Sequence, residues 1–152
     1  GPLRESLSSL KRAHIVVING NKNDIIENKI LKQNKNIKIY YFNFVPKNIE
    51  FLKNKNITAF AGIGNPENFF DLLKNENINI AKKIKFPDHY NYSEKDLKNL
   101  IHDAQENNSI LLTTEKDYFR ISEAYKEKIN YLKISVKIEN KDKFINEIKK
   151  FL

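Results

Sequence analysis

The chain has 152 residues, enough for one ordinary domain with its own core, and at 40% hydrophobic and 30% charged residues it is globular rather than disordered. It has no cysteine, which excludes a disulfide framework, a thiol nucleophile and a zinc–thiolate site, and no apolar run reaches bilayer-spanning length. The formal net charge of +8 suits nucleic acid, anionic lipid or phosphorylated ligands, or else a solvated surface in a chain biased toward Lys, Asn and Ile.

In chain order, Leu3, Leu7 and Leu10 make a helical stripe, and His14 to Asn19 reads as a β-branched strand closed by Gly20. Asp24 to Lys32 suits a short helix. Ile37 to Phe44 is an aromatic-rich strand that Pro46 is expected to end. Asn48 to Lys55 is a polar connection around Phe51 and Leu52. Ile57, Ala59, Phe60 and Ala61 suit a central buried strand. Gly62 and Gly64 then make a tight turn, with Asn65 as N-cap and Pro66 at the first position of a helix to about Asn75.

A weaker strand follows from Ile78 to Phe86. Ser93 and Asp96 pattern as a capping box before the stripe Leu97, Leu100, Ile101 and Ala104. Ile110 to Leu112 is a short strand leading into Thr113 to Asp117. Leu132 to Ile138 alternates as a half-buried strand, and Phe144 to Leu152 carries a last helical stripe. Strands alternating with helices imply an α/β fold: a three-layer α/β/α sandwich around a mostly parallel, Rossmann-like sheet. Loops Gly62 to Glu67, Pro87 to Tyr92 and Thr113 to Asp117 all follow strands, so they belong on one edge, where such folds bind ligands.

Each loop has two readings. Gly62-Ile63-Gly64-Asn65 is either a phosphate cradle at a helix start or a turn that needs small residues for packing. It lacks the Gly-Lys-Ser/Thr of a phosphate-binding loop and the third glycine of a dinucleotide fingerprint. Asp88-His89 suits acid–base work or the orientation of a base, against an ordinary structural histidine. Thr114 and Asp117 suit a capping box or a substrate-contacting loop, with Lys116 able to face a phosphate. No His/Asp/Glu spacing makes a metal site, so no metal ligand is expected.

Taken together, four motifs are similar to one family. They are Gly-Pro-Leu-Arg-Glu (Gly1 to Glu5), Ala-Phe-Ala-Gly-Ile-Gly-Asn-Pro-Glu-Asn-Phe-Phe (Ala59 to Phe70), Phe-Pro-Asp-His (Phe86 to His89) and Leu-Thr-Thr-Glu-Lys-Asp (Leu112 to Asp117). They resemble the tetraacyldisaccharide 4'-kinases of lipid A synthesis over essentially the whole chain. Gly1-Pro2, otherwise readable as a protease scar, then belongs to a family motif. The chain has no methionine, so it is expected to be processed, excised or a fragment.

The resemblance implies an ATP- and Mg2+-dependent kinase. Such a kinase phosphorylates the 4'-hydroxyl of a tetraacyldisaccharide 1-phosphate while bound peripherally at the cytoplasmic face of the Gram-negative inner membrane. It also implies that residues 1–152 are one C-terminal region. Residues 1–13 would be continuous with a missing N-terminal lobe that carries the phosphate loop, the nucleotide and the metal.

Carried over, His89 matches the active-site His, which the resemblance pairs with an Asp from the missing half to activate the sugar hydroxyl, and Asp88 stands beside it in the sequence. Arg4 and Glu5 match active-site-facing positions, and Gly62, Gly64, Asn65, Thr114 and Lys116 match motif loops, read as substrate-binding. Asn68 stands where the family often has Arg, and Tyr90 where it often has a second His. The alternatives are a non-enzymatic remnant or regulatory domain and a basic nucleic-acid-binding module. No recognition-helix or aromatic RNA-binding pattern supports the latter, so no nucleic acid is expected.

Overall fold

The computed structural model describes residues 5–47 and 49–152. Leu3 and Arg4, and with them most of the first motif, lie outside the described residues. The chain divides into two compact units. One comprises residues up to Val45 together with Val136–Leu152, and the other Pro46–Ser135.

In the first unit a 3-10 turn, Leu7–Arg12, leads into β1 (Ile15–Asn19), α1 (Asp24–Gln33) and β2 (Lys38–Lys47). β1 and β2 pair in parallel, Ile15 opposite Lys38 and Asn19 opposite Phe42. Gly20, at φ +112°, turns the chain and returns its N–H to the Phe42 carbonyl at 2.9 Å. Asn23 caps α1 by accepting from the Ile26 N–H at 3.1 Å. The buried Tyr41 hydroxyl accepts from the Asn23 N–H and donates to Glu27, fastening the start of α1 to β2. α6 (Lys141–Ile148) sets Phe144 edge-on against Tyr40.

β2 runs through Pro46 to Lys47 instead of ending before it. A proline near the end of a strand forfeits one donor and leaves the extended path intact.

The second unit is built on β3 (Asn56–Ala61), with β4 (Asn79–Lys85) on one side and β5 (Ile110–Thr114) on the other, all parallel. The start of β6 (Asn130–Ile138) extends the sheet beyond β5, again in parallel. Alternate β3 residues face opposite sides, as the pleat requires. Ile57, Ala59 and Ala61 pack with Phe69, Phe70 and Leu73 of α2 (Pro66–Asn75). Phe60 packs with Leu97, Leu100 and Ala104 of α3 (Glu94–Glu106). This unit is therefore the α/β/α sandwich expected from the alternation of elements. β3 is buried from Ile57 to Ala61, and β4 presents Lys82, Lys83 and Lys85 outward, which discourages edge pairing.

Ser93 and Asp96 form the reciprocal capping box at the start of α3. Thr113 to Asp117 is not a loop: β5 runs directly into a short helix, α4 (Glu115–Tyr118), followed by α5 (Glu123–Lys126). Thr114 caps α4 by accepting from the Asp117 N–H at 3.1 Å, but only half of the box forms. The Asp117 carboxylate turns inward to other partners.

Candidate functional site

Because β3, β4 and β5 are parallel, their carboxyl ends share one edge of the second unit. Three segments meet there: Gly62–Asn65 after β3, Phe86–Tyr92 after β4, and Thr114–Arg120 after β5. Phe86 returns its N–H to the Ala61 carbonyl at 2.9 Å, and His89 returns its N–H to the Gly62 carbonyl at 3.0 Å. Phe86, Tyr90 and Tyr92 stack edge and face on one another, and Phe86 and Tyr92 both meet Phe60 of β3. The Pro87–Tyr92 segment is thus fixed to the core on its aromatic side.

The glycines serve this approach. A Cβ on Gly62 would stand 2.9 Å from the Tyr92 hydroxyl and 3.2 Å from both the Pro87 carbonyl and Tyr90 Cβ. A Cβ on Gly64 would stand 3.3 Å from an Asp88 carboxylate oxygen. The Gly62 N–H, the natural donor for a phosphate, is already given to Asp117 Oδ2 at 3.1 Å. Of the two readings of this turn, packing is the one that the geometry supports.

The surface of the site is a cluster of three polar side chains. His89 Nε2 lies 3.4 Å from Lys116 Nζ and 3.9 Å from Asp88 Oδ1, and Lys116 Nζ lies 4.0 Å from the same Asp88 oxygen. All three are open to solvent, His89 most of all at 69% of its side-chain surface. An imidazole with one carboxylate and one ammonium beside it can accept a proton, orient a hydroxyl and face an anion.

Beneath it lies a buried layer. The Asp117 carboxylate, fully enclosed, accepts from the Gly62 N–H, from the Thr114 hydroxyl at 2.7 Å and from the Arg120 guanidinium. Arg120 also donates to the Gly62 carbonyl at 2.9 Å. The Tyr92 hydroxyl is buried beside Asp117 without a partner of hydrogen-bonding geometry. Burial first, and then the Asp117 charge, push its ionisation well above the usual tyrosine range. At the head of α2, Glu67 pairs with Lys85 of β4, and that hydrogen bond holds its carboxyl below the usual range.

The expected site residues divide accordingly. Gly62, Gly64, Asp88, His89, Thr114 and Lys116 converge on this edge. Asn65 sits at the N-cap of α2 with its side chain donating to Asn68 instead of capping. Thr114 spends its hydroxyl on Asp117. Glu5 belongs to the first unit, where it is exposed and paired with Arg12, and Arg4 lies outside the described residues. Tyr92 and Arg120 are residues of this edge that sequence reasoning passed over, and Asp117, read from the sequence as part of a capping box or a substrate-contacting loop, is found buried beneath it. One signal was present: Arg120 follows Asp117 by three positions, the spacing of neighbours on a helix.

The family model for tetraacyldisaccharide-1-P 4'-kinase matches residues 1–152. The chain belongs to this family. Three similar relatives, each named tetraacyldisaccharide 4'-kinase, come from Pelagibacter ubique (39% identical), Rickettsia akari (41%) and Rickettsia bellii (43%). The matches cover 97%, 97% and 82% of this chain but 48%, 44% and 38% of the relatives. The chain thus spans less than half the length of these 4'-kinases. A crystal structure of LpxK from Aquifex aeolicus in complex with ATP shares the fold, with a TM-score of 0.63 and 24% identity over 97% of this chain and 45% of that one.

Proposed function

We propose that this chain is the C-terminal region of a lipid A 4'-kinase and supplies its acceptor side. The complete protein would transfer the γ-phosphoryl group of ATP to the 4'-hydroxyl of a tetraacyldisaccharide 1-phosphate. Residues 1–152 would act as one region, joined in cis or in trans to an N-terminal phosphate-loop half. The observation that carries this reading is the solvent-facing group His89, Asp88 and Lys116, brought together from the ends of β4 and β5 in a family whose members bear the kinase name.

In this reading His89 orients or accepts the proton of the sugar hydroxyl, and Asp88 orients the imidazole. Lys116 faces a phosphate, and Gly62, Gly64, Asn65 and Thr114 form the wall beside them. Arg4 and Glu5 are assigned to acceptor binding through the first family motif. Phosphoryl transfer needs positioning and charge neutralisation more than covalent chemistry, so its parts can be divided between two lobes.

The donor set here does not fit the nucleotide. The glycine-turn amide is engaged by Asp117, and no Gly-Lys-Ser/Thr follows it. ATP and Mg2+ are therefore assigned to the other half. Among the described residues no helix is long and apolar enough to cross a membrane. The +8 charge suits peripheral attachment to an anionic bilayer, which we assign to the cytoplasmic face of the Gram-negative inner membrane.

The test is ATP-dependent phosphorylation of the acylated disaccharide 1-phosphate, by this chain alone and by the protein that joins it to a phosphate-loop half. The joined protein turns over and the chain alone does not. His89→Ala lowers kcat of the joined protein by about 10²–10⁴-fold. Robust turnover by the isolated chain, or an unchanged rate in His89→Ala, rejects the assignment.

A further inference from the structure

The proposed chemistry uses the exposed trio and leaves the pair formed by the buried Asp117 and the partly exposed Arg120 without a role. A buried ion pair is a weak source of stability, because the desolvation of both charges offsets their attraction. These charges nevertheless converge on a single residue. The Gly62 N–H goes to Asp117 Oδ2, and the Gly62 carbonyl accepts from Arg120 at 2.9 Å and from the His89 N–H at 3.0 Å. Arg120 closes the loop by donating to Asp117 Oδ1 with the same nitrogen.

His89 has a φ of +59°. Among the described residues the other non-glycine positions at positive φ, Asn54, Asn77, Asn108 and Asn140, are all asparagine, the residue that tolerates this region best. A bulkier side chain stays there only where its surroundings over-determine it. The His89 N–H donates to the Gly62 carbonyl, and Asp117 and Arg120 hold the Gly62 residue at its N–H and at its carbonyl.

We propose that Asp117 and Arg120 are positioning residues for His89. They clamp the Gly62 residue, and through its carbonyl they hold His89 in the left-handed conformation that presents the imidazole beside Asp88 and Lys116. The geometric part stands on these bonds alone, and the catalytic part rests on the reading of His89 given above.

Amide hydrogen exchange, followed by NMR on the full chain, tests the clamp. Arg120→Gln, Arg120→Lys and Asp117→Asn are compared under conditions where each variant keeps the wild-type circular dichroism. The His89 amide exchanges about tenfold faster in Arg120→Gln and Asp117→Asn, while Leu100 in the core of α3 is unchanged. Arg120→Lys, whose ammonium can still bridge the Gly62 carbonyl and Asp117, stays near wild type. Unchanged exchange at His89, or an equal rise at Leu100, overturns the clamp. If Asp117→Asn does not fold, the two variants of the partly exposed Arg120 decide the matter.

A second arm uses the joined kinase. Arg120→Gln lowers kcat with the KM for ATP within about twofold, and adds nothing on top of His89→Ala. A full multiplicative loss in the double variant overturns the route through His89. If His89→Ala alone leaves turnover unchanged, the catalytic reading of His89 fails, and the exchange measurement still settles the clamp.

Discussion

The Asp117 carboxylate and the Gly62 amide, fifty-five residues apart in sequence, meet at 3.1 Å in the interior of the second unit. The contact joins the end of β3 to the start of α4, and it uses the donor that a phosphate would otherwise take. Only half of the capping box that the sequence pattern suggests forms, with the Asp117 N–H on the Thr114 hydroxyl.

Gly62→Ala places a methyl group 2.9 Å from the Tyr92 hydroxyl and 3.2 Å from the Pro87 carbonyl. The phenol can give way more readily than the backbone. We expect a loss of about 1–3 kcal/mol in urea unfolding, with part of it recovered in Gly62→Ala/Tyr92→Phe. A second substitution that recovers nothing would place the strain at Pro87 instead.

Tyr92→Phe removes a buried hydroxyl that has no hydrogen-bond partner. At neutral pH the variant is as stable as the wild type or more so, by up to about 1–2 kcal/mol. The two diverge further in alkali. Folding raises the ionisation of Tyr92, through burial first and Asp117 second, so the folded state holds this proton more tightly than the unfolded chain does. Its contribution is complete below the unfolded value of about 10 and is lost as pH rises beyond it. Stability measured from pH 8 upward therefore falls more steeply in the wild type than in Tyr92→Phe, and parallel curves would refute this.

Asp96 shows the opposite sign. Hydrogen bonds from the Ser93 hydroxyl and backbone, joined by the Tyr90 hydroxyl, hold its carboxyl below the usual aspartate range. Its contribution is present above the unfolded value of about 3.9 and disappears as pH falls through the lower folded value. The stability difference between wild type and Asp96→Ala should be constant near neutrality and shrink below about pH 4. Ser93→Ala removes the cap itself and should cost about 1 kcal/mol at neutral pH.

Lys116 stands 3.4 Å from His89 and 4.0 Å from Asp88 at the open face of the site. It is about half exposed, so its removal should leave the melting temperature unchanged. In the joined kinase, Lys116→Met should lower kcat/KM by about 10–100-fold, the worth of one charge-assisted hydrogen bond to a phosphate. An unaltered kcat/KM would remove Lys116 from the acceptor site.

Much of the molecule could be read from local chemistry. The strand–turn–helix from Asn56 to Asn75 follows from a β-branched and apolar run, two small turn residues and a proline at the first helical position. The capping box at Ser93 and the stripe of α3 are local patterns as well. The convergence of Gly62, Asp88, His89 and Lys116 followed from parallel topology alone, since parallel strands bring their carboxyl ends to one edge. The direction in which Asp117 points was not available in this way. At a helix start its carboxylate can cap locally or reach across the sheet edge, and the choice depends on whether a distant N–H lacks a partner. Gly62 supplies that N–H, and Arg120 makes the buried charge tolerable. The sequence by itself determined the α/β layering, the loop that carries His89 and the family. Only the tertiary structure decided that the glycine turn is bound from within and that His89 itself sits in the left-handed region with its N–H on the Gly62 carbonyl, because both depend on hydrogen bonds between segments that no local pattern connects.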